Sequence, residues 1–149
     1  MKSTTALRRL AGTLPLLALL ACGGDSSGPG GGGGGGGGGG FSLSLDVQPI
    51  LSSNCALSGC HATVGAQLGL DLSSGRTFAS TVGIPAVELS TMNLVTPSNT
   101  AQSYLVHKIE GTQASVGGIG GRMPLGGSAL SATQIATIKG WIDAGAPDN

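Results

Sequence analysis

Aromatic side chains are the scarcest resource of this chain: 149 residues contain one Trp, one Tyr and two Phe. Charged residues are also few, at 9% of the total, with seven basic and seven acidic side chains. With no basic cluster and no aromatic platform on which bases could stack, nucleic acid is excluded as a partner. The longest apolar run, residues 14–21, is too short to cross a bilayer comfortably as a permanent helix. Cysteine is almost absent too. There are three, Cys22, Cys55 and Cys60, and the residues beside each make their roles different.

Cys22 closes an export signal. Lys2, Arg8 and Arg9 form a positive start, residues 14–21 are apolar, and the run ends Leu19-Leu20-Ala21-Cys22. This ending resembles the lipobox of bacterial lipoproteins. The resemblance implies that residues 1–21 are removed as a lipoprotein signal peptide and that Cys22 carries the lipid. Residues 22–40 are then a lipidated cysteine followed by a glycine-rich flexible tether, with an unbroken glycine run from Gly30 to Gly40. Such a coil reaches roughly 20–25 Å root-mean-square from its anchor, at about 5–6 Å per square root of residue number. It serves equally as a leash between partners or as a spacer from the membrane. Gly23, not aspartate, follows Cys22, which favours an outer-membrane lipoprotein of the cell envelope, on the periplasmic or the cell-surface face. Loss of the signal also leaves Arg76, Lys108, Arg122 and Lys139 against seven acids, 4 − 7 = −3, an anionic surface suited to a cationic partner.

In the remaining residues, 41–149, the decisive stretch is Cys55-Ala56-Leu57-Ser58-Gly59-Cys60-His61. Two thiols with an imidazole directly after the second are what covalent haem attachment of the c type requires. The thiols add to two vinyl groups on one porphyrin edge, and the neighbouring histidine reaches the iron. Four residues separate the cysteines, where the usual spacing has two. The extra length falls before Cys60-His61, where Ser58 and Gly59 let the backbone bulge. Two other readings stand beside haem. Export favours oxidation, so Cys55 and Cys60 could form a disulfide. Alternatively Cys55, Cys60, His61 and His107 could form a zinc set, although the His107 spacing fits no finger or ribbon pattern.

Along the domain, Leu45, Val47, Ile50 and Leu51 predict a first helix running into the cysteines from about Asp46, with Pro49 near its start. Leu68, Leu70 and Leu72 alternate with Gly69 and Asp71, predicting an extended segment. Residues 75–82 predict a short helical turn. Residues 97–100 form a helix-start signal, followed by Tyr104, Leu105, Val106 and Ile109 up to Gly111. Residues 117–127 form a glycine-rich loop around Arg122-Met123-Pro124, without the preceding strand or following lysine of a phosphate cradle. Ser131 and Gln134 spell a capping box for a last helix with Ile135, Ile138, Trp141 and Ile142 on its apolar face, stopped by Gly145 and Pro147. Strand signals are sparse, so the domain is expected to be mostly α.

Helix, cysteine–histidine motif, loop methionine and closing helix, in this order, resemble the class I c-type cytochromes. More narrowly, the chain is similar to the small cytochrome domains of bacterial secreted proteins, including the planctomycete-type group. The matching pieces are residues 47–51, 55–61, 69–72, 97–105, 122–124 and 130–147. The resemblance implies a small helical domain, 41–149, wrapped around one covalently bound haem c. Cys55 and Cys60 hold the haem, His61 is the proximal iron ligand and Met123 the distal one. A thioether is a soft, neutral ligand that suits Fe(II) and raises the reduction potential. His107 and Met92 are the rival distal ligands; His107 reads as a partly exposed surface residue and Met92 as packing. Arg122 is a candidate partner for a haem propionate or a solvated loop charge, and Trp141 packs on the haem or in ordinary core. The expected function is that of a lipid-anchored electron carrier, not an enzyme, with redox proteins as donor and acceptor. The alternatives are a tethered non-haem binding module with a Cys55–Cys60 disulfide, and a haem enzyme acting on peroxide or a small gas.

Overall fold

The computed structural model describes residues 40–149; the signal segment, Cys22 and nearly all of the tether lie outside the described residues. The domain opens with a wide helical turn, Leu43–Val47, whose first amide groups are held by the Ser42 side chain and the Asp46 carboxylate. It passes directly into α1, Gln48–Asn54, with Pro49 as its second residue. Helical structure therefore begins slightly earlier than the periodicity predicts. A long loop carries the cysteine–histidine motif and leads to α2, Thr77–Thr81. Next come the short antiparallel strands β1, Pro85–Ala86, and β2, Leu89–Asn93. The last two helices are α3, Tyr104–Glu110, and α4, Ala132–Asp143.

The domain is thus a small helical one with a two-stranded hairpin, more mixed than the expectation of a mostly α chain. The hairpin escapes sequence reading because β1 is only two residues long and the register is irregular between Pro85 and Ala86. So short a strand carries no alternation to read.

The core lies where α1, α3 and α4 meet. Val47, Leu51, Val95, Ile138, Trp141 and Ile142 are fully buried there. Burying side chains of this size contributes about 1.5–3 kcal/mol each. α3 is buried almost all round, as a central helix must be. α4 begins with the full capping box: Ser131 Oγ accepts from the Gln134 amide and Gln134 Oε1 accepts from the Ser131 amide. A polar knot ties the motif loop into this frame. Gln48 Nε2 donates to the Leu72 carbonyl at 2.9 Å, and Thr77 Oγ1 donates to Gln48 Oε1 at 2.8 Å. All three residues are buried, so each of these polar groups needs its partner.

Candidate functional site

α1 ends at Cys55, whose amide donates to the Leu51 carbonyl. The two extra residues of the motif are taken up by a turn across Leu57–Cys60, closed by the Cys60 amide on the Leu57 carbonyl at 2.9 Å. Its third residue, Gly59, is left-handed at φ +79°, a conformation glycine adopts without steric cost. The bulge expected at Ser58-Gly59 is therefore a closed turn. A further bond from the His61 amide to the Cys55 carbonyl, at 3.1 Å, draws the histidine back beside the first cysteine.

His61 is oriented by its backbone surroundings. Its Nδ1 lies 3.3 Å from the Leu70 carbonyl oxygen, to which the Nδ1–H tautomer donates. That bond leaves Nε2 as the basic nitrogen of the ring. Metal-bound histidines are held in the same way, with the second ring nitrogen donating to a carbonyl or carboxylate.

A cleft opens in front of this loop, in two adjoining cavities of about 770 and 1520 Å³ that include open solvent. Cys55, His61 and Met123 line both, and Cys60 lines the larger one. α3 and the hairpin form the opposite wall. The lining is apolar, yet Leu57, Leu68 and Leu125 along it are 46%, 58% and 74% exposed. Exposed apolar surface gathered at one concave place marks a ligand site. The donor set and the apolar walls fit a haem: two thiols, one oriented imidazole and one thioether face a common space wide enough for a flat hydrophobic group.

The leucine segment takes part differently from expectation. Gln67–Gly69 is a tight helical turn with Leu68 at φ +55°, and extended backbone begins only at Leu70. All three leucines still line the cleft. Met123 is placed by its amide, which donates to the Lys108 carbonyl on α3 at 2.8 Å.

The remaining sequence candidates lie elsewhere. The Arg122 side chain runs over Gly111 at the end of α3 and does not line the cleft. Trp141 is completely buried in the core and also outside the lining, with Nε1 donating to the Pro147 carbonyl at 2.9 Å. His107 is partly exposed, and both ring nitrogens are engaged, with Thr112 Oγ1 at 2.9 Å and the Ala101 carbonyl at 3.1 Å. It does not join Cys55, Cys60 and His61, so the four-residue zinc set is not assembled. Met92 packs against Ala86 and Tyr104. Cys55 and Cys60 are both free thiols.

The two thiols differ in environment. Cys55 is buried, and desolvation, helped by the neighbouring Cys60, pushes its pKa from 9.0 up to about 11. Cys60 is exposed.

Sequence reasoning missed a charged cluster in the cleft wall, in which Lys108 and Tyr104 are buried and Glu88 is partly exposed. Lys108 Nζ donates to Glu88 Oε2 at 2.6 Å, and the Tyr104 hydroxyl donates to the same oxygen at 2.9 Å. Burial, then the Glu88 carboxylate that accepts its hydrogen bond, pushes the Tyr104 pKa up to about 12, so the hydroxyl remains a donor. Glu88 lines both cavities together with Met123. One signal was available: Lys108 lies four residues after Tyr104, on the same face of the helix. Glu88, in the turn of an unseen hairpin, left none.

No protein-family model, curated protein or solved structure matches this chain.

Proposed function

We propose that the protein is a lipid-anchored monohaem c-type cytochrome that transfers single electrons in the cell envelope. The observation that carries this reading is the convergence of Cys55, Cys60, His61 and Met123 on one apolar cleft, with His61 Nδ1 on the Leu70 carbonyl. In this reading Cys55 and Cys60 would hold the haem through thioethers, and His61 Nε2 and the Met123 sulfur would hold its iron. A bound haem supplies a one-electron Fe(II)/Fe(III) couple. The chain's own residues set its surroundings: the Leu70 carbonyl fixes the tautomer and orientation of the His61 ring, and the leucines supply apolar walls.

Iron held by both His61 and Met123 would leave no open position for a substrate, which favours electron transfer over catalysis. Glu88, the acid that lines the cleft beside Met123, is committed to Lys108 and Tyr104, so it lends no support to an acid–base role on peroxide. The anchor rests on the Leu19–Cys22 motif and the partners on the net negative mature chain. Redox proteins as donor and acceptor belong to the same proposal.

The test is a reduced-minus-oxidised spectrum with pyridine haemochrome, on protein exported by a host competent in cytochrome c maturation. A c-type α band and a weak near-infrared sulfur-to-iron band in the oxidised form are expected. Met123→Ala removes the near-infrared band and lowers the potential by on the order of 100 mV, a fraction of the roughly 0.8 V that axial ligands span. A folded, colourless, exported protein with Cys55 and Cys60 in a disulfide sinks the proposal. High-spin iron that binds small ligands rapidly in the resting protein replaces it with the haem-enzyme reading.

A further inference from the structure

The charged cluster and the glycine-rich loop are one assembly. Lys108 Nζ, besides holding Glu88, donates to the Ile119 carbonyl at 3.2 Å, and the Tyr104 hydroxyl, whose one hydrogen goes to Glu88, lies 3.4 Å from the same carbonyl. Gln113 Nε2 donates to the next carbonyl, that of Gly120, at 2.9 Å. Three residues further on, the Met123 amide returns to the Lys108 carbonyl at 2.8 Å. The loop from 118 to 123 is therefore bonded twice to α3, by the Lys108 ammonium and by the Lys108 main-chain carbonyl, with Tyr104 packed against Gly118. The close approach leaves no room for side chains at two places. A Cβ on Gly118 would overlap the Tyr104 hydroxyl, and one on Gly120, at φ +74°, would sit 3.0 Å from Glu88 Oε1 and 3.2 Å from Lys108 Nζ.

This explains a glycine pattern that the absence of a phosphate cradle left without a role. Glycine-rich backbone has high conformational freedom and holds a side chain poorly unless something else orders it. An ammonium buried among apolar neighbours and held by a carboxylate is a strong donor to a carbonyl, because the low local dielectric strengthens a charge-assisted bond. Such a group orders a loop that buries little apolar surface of its own.

We propose that Glu88, Lys108 and Tyr104 are positioning residues that clamp the Gly118–Gly120 backbone and thereby fix Met123 over the cleft. As a statement about ligation this rests on the reading of Met123 as an axial ligand; as a statement about the loop it does not. A thioether is preferred by Fe(II) over Fe(III), so a loosened loop weakens methionine binding first in the oxidised protein.

The experiment compares wild type with Gly118→Ala, Glu88→Gln and Tyr104→Phe in the matured protein. Two readouts are taken: hydrogen exchange of the Met123 amide and the near-infrared band of the oxidised form. Haemochrome verifies attachment, and the amides of Leu51 and Ile138 report the core. With core exchange unchanged, Gly118→Ala and Glu88→Gln are expected to speed exchange at Met123 about tenfold, and Tyr104→Phe, which loses only a hydroxyl, about threefold. The near-infrared band weakens in the same order. Met123 exchange at the wild-type rate in both Gly118→Ala and Glu88→Gln overturns the clamp. So does acceleration matched by equal acceleration in the core, because that is global loosening. A wild type that binds haem without a near-infrared band, while Met123 exchange still responds to the variants, keeps the clamp and removes Met123 as ligand.

Discussion

Cys55 and Cys60 are five residues apart and meet opposite surroundings, because α1 ends by burying the first while the Leu57–Cys60 turn lifts the second outward. A thiol reacts through its thiolate. Raising the Cys55 pKa from 9.0 to about 11 reduces its thiolate near neutrality about a hundredfold. In protein produced without haem, iodoacetamide at pH 8 should therefore modify Cys60 well before Cys55, as followed by peptide mass spectrometry. Equal rates at the two positions would mean that the motif loop is open. The pH dependence has a definite sign. A thiol whose folded pKa is raised contributes stability that is complete below pH 9 and is lost as the pH rises through about 11. At this scale the sequence offered the Cys60-His61 pair through residue type and order alone, and the structure brings both residues to one cleft. It was silent on Glu88, whose importance comes entirely from meeting Lys108 twenty residues away.

Among the elements, α4 was the most legible, since its capping box and apolar stripe are local signals that the fold left intact. Its one unread feature is Gly140. Glycine inside a helix costs about 1 kcal/mol relative to alanine, and the helix keeps it where a Cβ would come within 2.5 Å of the Phe41 ring. The glycine is thus the recess against which the start of the domain packs. Gly140→Ala is expected to stabilise a Phe41→Ala background by about 1 kcal/mol, the ordinary helix gain. In wild type that gain is offset because the ring must swing away. Chemical denaturation of the four proteins measures the coupling, and additive effects would mean that the ring does not occupy the recess. The hairpin and the Gln67–Gly69 turn were illegible for a shared reason. Each is a few residues long and is held by tertiary contacts, which a periodicity cannot report.

Across the whole molecule, the described chain is closed on itself. Asn149 accepts three hydrogen bonds from the opening turn: Oδ1 from the Leu43 amide at 2.8 Å, and its carbonyl from the Ser44 amide at 2.8 Å and Ser42 Oγ at 2.9 Å. These bonds join positions more than a hundred residues apart. They brace the frame from which α1 presents Cys55. Asn149→Ala removes the Oδ1 acceptor and is expected to cost about 1 kcal/mol in denaturant unfolding. An unchanged midpoint would mean that water satisfies the Leu43 amide as well as Asn149 does. The cleft is the other feature of this scale. Cys55, Cys60 and His61 come from one loop, Met123 from another, and α3 with the hairpin supplies a further wall.

By itself the sequence determined the chemistry on offer and its local geometry: the thiol pair with its adjacent imidazole, the capped last helix, the methionine in a glycine loop. These are readable because each depends on neighbours within a few residues, through hydrogen bonds, caps and turn conformations of short range. Only the tertiary structure decided how those pieces meet. It brought Met123 and His61's loop to one cleft, sent Trp141 into the core and Arg122 over Gly111, and buried Lys108 against Glu88. The physical reason is that burial and long-range pairing depend on the packing of the whole chain, and a buried charge finds its counter-charge through space, not along the sequence.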